Sequence, residues 1–327
     1  GTLDSSTAAK KLETIKAIKA GSQSWPDPSK GSPQKIDDLW HAAVNTGGDF
    51  YSVRNVSELS TALNDAFGRA VGAEAAEAGV AVSANVLLTA GLKFVPKYKA
   101  GSWNGDLEAY SLGTDGVAAT TATWQASTAG NVPAADKRHL YTWNSSGKVV
   151  ESFDWASMAT SGNGSLVGSE LLTNYIRGDA TNEGVGNDFR SRGGKVLGDF
   201  IDSPPVYVKD LVDLGYGAVD KSYSSHLASK QGRTKSVVFL GGNAGILHAF
   251  DGATGAELFG YLPQAGLANL KIIAEKDYGT PTNYHRYFVD GPMVETDAFI
   301  ATRRSATEAW ANLVVGSMGL GGTGFFA

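Results

Sequence analysis

Cysteine is absent from all 327 residues. Its absence excludes disulfide staples, thiolate metal sites and cysteine nucleophiles, so the fold must hold by packing and hydrogen bonding. Long apolar runs are missing as well: none approaches the roughly twenty residues that span a bilayer, and no charged leader with an apolar core opens the chain. Nor is positive charge in excess. With 28 Lys and Arg against 33 Asp and Glu, the net charge of -5 gives no basic field for nucleic acid or anionic lipid. The five histidines, His41, His139, His226, His248 and His285, show no H-E-x-x-H or other close ligand spacing, and no G-x-S-x-G elbow occurs. The paired carboxylates Asp37-Asp38 read as the first turn of a helix, where the helix dipole favours negative charge. These gaps point away from an enzyme, and no catalytic, cofactor-binding or metal-binding residue is assigned.

What the chain does have is glycine: 41 of them, recurring between short apolar runs as in a turn-rich β protein. The pattern changes character near residue 78. Before it the periodicity is helical. Asp4 or Ser5 is placed to cap a helix carrying Leu12, Ile15 and Ile18, with Gly21 as its C-terminal stop. A second helix carries Ile36, Leu39, Trp40 and Ala43, a short strand covers Asp49 to Val53, and Asn55 with Glu58 opens a helix whose stripe is Leu59, Leu63, Phe67 and Val71. Residues 1–78 thus read as the tail of an α/β domain, and the chain, which opens on Gly1, reads as a piece of a longer one.

From 79 to 327 the pattern is mainly β. The runs AVSANVLL, GDLEAYSL, SVVFL, GILHAF, AELFGYL, HRYFVDG and ANLVVGS have strand length and composition, and turn residues follow most of them. An internal repeat organises them. Gly105 to Tyr110 and Gly245 to Phe250 share the form G-x-L-x-A-aromatic, and Phe325 to Ala327 fall at the corresponding positions of a third copy. Each copy follows a glycine-rich bend, which predicts repeated antiparallel meanders of the propeller kind. The wide spacing of the copies predicts a long insertion around 128–200. Leu247 and Ala249 are expected on one face of their strand and Ile246, His248 and Phe250 on the other, both covered by neighbours. Trp103, Trp124, Trp143 and Trp155 read as lying outside the strands or in turns.

The blocks WNGDLEAY, YIRGD, FRSRGGKVLGDFIDSPPVYV, VVFLGGNAGILHAFDGATGAELFGYLP, HRYFVDGP and LVVGSMGLGGTGFFA, in this order, resemble the C-terminal region of the PilC/PilY family of type IV pilus tip-associated adhesins. KIDDLWHAAVNTGGDFYSVRNVSELSTALNDAF resembles the stretch before it, the end of a von Willebrand factor A-like domain. The resemblance implies a quinoprotein-like β-propeller, incomplete in this chain, preceded by an α/β von Willebrand A-like tail. It also implies a non-catalytic secreted protein at the cell surface, the pilus tip or the outer membrane, which assists pilus assembly, counters retraction and mediates adhesion. Its partners would be minor pilins and a host or abiotic surface. The family's D-x-S-x-S metal motif is not present, and neither is its acidic calcium loop, so calcium is expected only in the intact protein. Asp115, Asp251 and Asp290, each beside glycine, read as turn formers.

Two alternatives stay open. GILHAFDGATGAELFGY also resembles a blade of the pyrroloquinoline-quinone dehydrogenases, and exposed aromatics such as Trp143 would suit a carbohydrate-binding propeller. The G-x-G-x-x-G of Gly319 to Gly324 follows a strand but opens no helix, so it fails as a dinucleotide site. Arg177-Gly178-Asp179 is the tripeptide that integrins recognise in other proteins, a candidate adhesion motif. Its context also fits a helix begun at Ser169 and Glu170 and ended by Gly178, with Arg177, Asp179, Arg190, Arg192 and Asp199 in a salt-bridge network.

Overall fold

The computed structural model describes residues 2–5, 7–46, 50, 59, 62–63, 74–76, 81–82, 91–209, 213–302 and 305–327. The chain divides into two compact units, Gly1–Val71 and Gly72–Ala327. All but Phe50 of the strand expected at 49–53, most of the helix expected from Asn55 and most of the strand expected at 81–88 lie outside the described residues.

In the first unit, α1 spans Ala8–Lys19 and α2 spans Ser32–Thr46. The cap of α1 is Thr7 and not Asp4 or Ser5, because Thr7 is the extended residue whose hydroxyl reaches the Lys10 N–H at 3.2 Å. Gly21, at φ +72, ends the helix as expected. Asp37 lies beyond the first turn of α2, so the dipole does not explain it. Its buried carboxylate instead accepts the Thr2 N–H and Oγ1–H, both at 2.6 Å, and ties down the start of the chain. Of the stripe expected on α2, Trp40 is buried, edge-on to Trp25 and stacked on Phe50, whereas Leu39 is exposed.

The second unit is built on three sheets. The first holds β1 (Glu74–Ala76), β2 (Ala81–Val82), β3 (Leu92–Lys99), β4 (Asn104–Ser111) and β5 (Trp124–Gln125), with β1 and β2 both on β3. The second has the order β7 (Val149–Ser152), β6 (Leu140–Asn144), β11 (Glu257–Leu262), β10 (Leu247–Asp251), β9 (Val237–Gly241) and β8 (Val206–Val208). The third is β12 (Met293–Thr302), β13 (Ser305–Ser317) and β14 (Phe325–Phe326). Each copy of the sequence repeat supplies one strand to a different sheet: β4, β10 and β14. Each pairs antiparallel with the strand before it, as the strand-bend-strand pattern requires. The three sheets do not close into a ring among the described residues.

The segment 128–200 is integral to the second sheet. Its strand β6 joins β11 in parallel, β7 completes the edge, and three helices follow: α3 (Trp155–Met158), α4 (Gly162–Val167) and α5 (Glu170–Arg177). Strand β10 is buried on both faces, with His248, Ala249 and Phe250 fully enclosed, as is Ile246 just before it. Phe250 packs in one core with Phe94, Leu107, Trp124, Phe200 and Leu240, and Ile246 and Leu247 pack in another with Leu140, Tyr175, Leu270 and Phe288. Burial on both faces explains why GILHAF reads as continuous hydrophobe rather than as an alternation. Enclosing each such large side chain is worth about 1.5–3 kcal/mol.

Two tryptophans are not where the sequence placed them: Trp124 lies in β5 and Trp143 in β6. Trp124 covers the DGATG turn, donating from Nε1 to the Gly252 carbonyl at 3.2 Å, and a side chain on Gly255 would strike its ring. Residues 285–290 form no ladder strand. They cross instead between the end of β9 and the turn at Gly319–Gly321, and their carbonyls press on backbone so closely that a Cβ on Gly241 or Gly321 would collide with Val289 or Phe288. The glycines of the apparent dinucleotide motif therefore serve backbone packing.

Candidate functional site

Polar side chains stitch the second unit together at three buried centres. The first lies under the GGNAG bend between β9 and β10, where Gly245 takes φ +82 to turn the chain. Asn243, buried in that bend, donates from Nδ2 to Asp199 Oδ2 at 2.7 Å and to Asp290 Oδ2 at 2.8 Å, while its Oδ1 accepts the Phe288 N–H at 3.0 Å. Asp290 also accepts the N–H groups of Ile201 and Ser203. His285 Nε2 lies 2.8 Å from Asp199 Oδ2, and its ring stacks on Trp103. Burial pushes the Asp290 carboxyl up to about 6, against the hydrogen bonds that favour its charged form. Asp290 is therefore not the turn former that its neighbouring glycine suggested. Asp115 and Asp251 are, each accepting an N–H two residues on. The adjoining cavity, lined by Trp103, Tyr175, Arg190 and Asn243, holds about 20 Å³, room for little more than one water.

The second centre joins β10, β11 and the approach to β6. The Arg138 guanidinium grips Glu257 with two bonds of 2.7 Å, Nε to Oε2 and Nη2 to Oε1. His248 Nδ1 sits 2.8 Å from the same carboxylate. All three side chains are enclosed. Burial alone would raise the Glu257 carboxyl, but Arg138 and His248 outweigh it and hold it well below the usual carboxylate range. Burial lowers His248, whose neutral ring donates from Nδ1 and leaves Nε2 without a partner.

The third centre fixes α6 (Tyr223–Gln231) to the β12–β13 hairpin. Asp297 receives Lys230 Nζ at 2.9 Å, the Tyr223 hydroxyl at 2.8 Å and Asn312 Nδ2 at 3.1 Å, and it faces His226 Nε2 at 3.0 Å. Burial would raise this carboxyl, and His226, Lys230 and Tyr223 together bring it below its ordinary value. Above it, Trp310 packs on Tyr216, Tyr223 and Phe299, and both Tyr216 and Phe299 are partly exposed.

The tripeptide Arg177-Gly178-Asp179 ends α5. Ser169 caps that helix and Gly178, at φ +114, closes it, both as the sequence indicates. Arg177 points inward, donating to the carbonyls of Phe153 at 2.7 Å and Arg138 at 2.8 Å. Arg138 returns a bond to the Arg177 carbonyl at 2.9 Å, so the two arginines hold each other's backbone. The expected salt-bridge network does not form. Arg192 pairs with Glu183, Asp199 with His285, and Asp179 folds back onto Thr181. The reason is tertiary: the Arg177 guanidinium is occupied by two buried carbonyls, 24 and 39 residues back in the chain. Arg177→Ala should lower the unfolding free energy by about 1–3 kcal/mol by orphaning two buried carbonyls, and Asp179→Asn should stay within about 0.5 kcal/mol. Urea titration of the two variants separates the roles.

Sequence reading missed Asn243, Arg138, Glu257, Lys230 and Asp297. A signal was available for the middle centre: His248 and Glu257 are polar residues inside otherwise apolar strands, and such residues need partners. The others depend on contacts between segments far apart in the chain. Among the described residues no group of three or more His, Asp or Glu is placed to hold a metal.

Residues 197–327 match the family model of the PilY1 beta-propeller domain. The chain is 32% identical over 286 residues to a type IV pilus biogenesis factor PilY1 homolog of Xylella fastidiosa, covering 85% of this chain and 22% of that protein. It is 30% identical over 336 residues to the type IV pilus biogenesis factor PilY1 of Pseudomonas aeruginosa strain PAK, covering 95% of this chain and 28% of that one. The chain thus spans about a quarter of the length of the curated relatives it matches. No solved structure matches it. One repeat copy per sheet accords with this match: residues 197–327 belong to the PilY1 β-propeller domain family, and 85–95% of the chain is similar to type IV pilus biogenesis factors PilY1.

Proposed function

We propose that the chain is part of a non-catalytic type IV pilus biogenesis factor, acting at the cell surface or pilus tip in pilus assembly, in countering retraction and in adhesion. The observation that carries this reading is the similarity to PilY1 proteins over 85–95% of the chain, which runs through both compact units rather than through one shared motif. In this reading the region before 79 is the end of a von Willebrand A-like domain, and 79–327 supplies propeller blades. Minor pilins and a host or abiotic surface are the partners, and calcium, if used, is held by the intact protein elsewhere. The geometry supports a platform more than a reaction centre: His226, His248 and His285 each face a carboxylate in a structural clasp.

The test is deletion of the gene encoding this chain, followed by counting of surface pili and of adherent cells. Loss of piliation that returns on complementation is the expected result. Unchanged piliation and attachment would overturn the reading.

A further inference from the structure

The Asp199–Asn243–Asp290 centre has an unusual charge arrangement. One amide nitrogen serves two buried carboxylates, at 2.7 and 2.8 Å, so the acids are held close in a site nearly closed to solvent. Burial of Asp290 without an opposite charge disfavours its ionised form, and a proton is the simplest counter-charge. Among the described residues Asp290 has no Lys or Arg ion-pair partner, and the one basic group bonded to the centre is His285, on Asp199. The groups bonded to Asp290 bring it no cation: they are the backbone N–H groups of Ile201 and Ser203 on the 199–203 segment and the neutral Asn243 amide of the bend, and Tyr287 on its own segment carries no positive charge. The orientation of Asn243 is fixed by Phe288 N–H on its Oδ1, so the amide cannot turn to relieve the pair.

We propose that Asp199, Asn243, Asp290 and His285 form a proton-operated clasp, in which a proton bound at the buried Asp290 carboxylate locks the GGNAG bend onto residues 285–290 and its release loosens them. The bend carries the contact: Asn243 N–H donates to the Asp199 carbonyl, and the Phe288 and Val289 N–H groups both return to the bend. The proton site is thus wired to the crossing that joins the second sheet to the third.

The sign follows from Asp290, whose carboxyl sits at about 6 in the fold against an ordinary 3.8. Its contribution is fully present below about pH 4 and is lost as pH rises through 6, a change on the order of a hundredfold in the unfolding constant. The experiment uses the 327-residue chain and its Asp290→Asn variant, unfolded in urea at intervals from pH 4 to pH 8, with exposed Asp136→Asn as control. The wild type should lose stability relative to Asp290→Asn as pH rises, by roughly that factor, while the control difference stays level. A flat difference between wild type and Asp290→Asn overturns the proposal, since a merely structural role shifts the curve without adding slope. Should Asp290→Asn fail to fold, carboxyl NMR titration of the wild type decides. An Asp290 midpoint near 6, with faster exchange of the Phe288 amide above it, supports the clasp, and a midpoint below about 4.5 sinks it.

Discussion

Replacing Glu257 by alanine is expected to lower the unfolding free energy by about 3–5 kcal/mol, enough to unfold many domains of this size at ordinary temperature. The size of the effect comes from what remains rather than from what is removed. Arg138 would keep its charge in a site where its side chain is fully enclosed, with both of its 2.7 Å bonds to carboxylate gone. His248, also enclosed, would lose its Nδ1 partner. Glu257→Gln keeps the shape and should do less damage. Pairing Glu257→Met with Arg138→Met removes both charges and should recover part of the loss, so the double variant falls short of the sum of the singles. Urea titration of the four proteins makes the cycle. If Glu257→Ala lies within 1 kcal/mol of wild type, the clasp is not a stability determinant.

The same centre fixes a pH dependence. Glu257 is held below its ordinary carboxylate range in the fold, so its contribution is present above about pH 4.5 and is lost as the solution becomes more acid. His248 is lowered by burial, so charging it opposes folding and its contribution falls as pH drops below about 6.5. Both work against the fold in acid. Asp290 runs the other way, favouring the fold as pH falls from about 6. The net profile is therefore shallow between pH 4 and 6.5, and each single variant exposes the slope of the group it leaves behind.

How much of this was visible in the sequence depends on the range of the interaction. The repeat G-x-L-x-A-aromatic placed β4, β10 and β14 correctly because strand pairing with the preceding segment is a local event, set by a glycine bend and a few residues on each side. The helix ended by Gly178 was equally local. HRYFVDG failed as a strand because its length and composition are strand-like but its neighbours are two glycine-lined backbones that admit no ladder, a fact held by residues 241 and 321 and not by the segment itself. Trp124 was misplaced for a similar reason: what makes it a strand residue is Ala109 across the sheet, and what makes it useful is a turn 128 positions away. The polar centres were least legible. Arg138 finds Glu257 at a separation of 119 and Asn243 finds Asp290 at 47, and nothing in a linear reading says which buried acid belongs to which base.

Asp297→Ala is the second substitution with a large expected effect, about 3 kcal/mol, at the lower end of the range for breaking a buried pair. Lys230, with a side chain 1% exposed, would be left without the carboxylate that accepts its ammonium at 2.9 and 3.1 Å. Glu295, 3.8 Å from the same nitrogen and partly open to water, offers partial compensation, which keeps the loss from the top of the range. Tyr223 and Asn312 would lose an acceptor at the same time, so the damage spreads from one ion pair to the packing of α6 on β12 and β13. The tryptophan above reports it: Trp310 touches Tyr216, Tyr223 and Phe299, and its fluorescence should shift with the hairpin's anchoring before global unfolding is complete. Asp297→Asn retains an oxygen for Tyr223 or Lys230 and should fall between wild type and alanine. A titration in which Asp297→Ala unfolds at the wild-type urea concentration would show that α6 is held by its aromatic contacts and not by the buried charge.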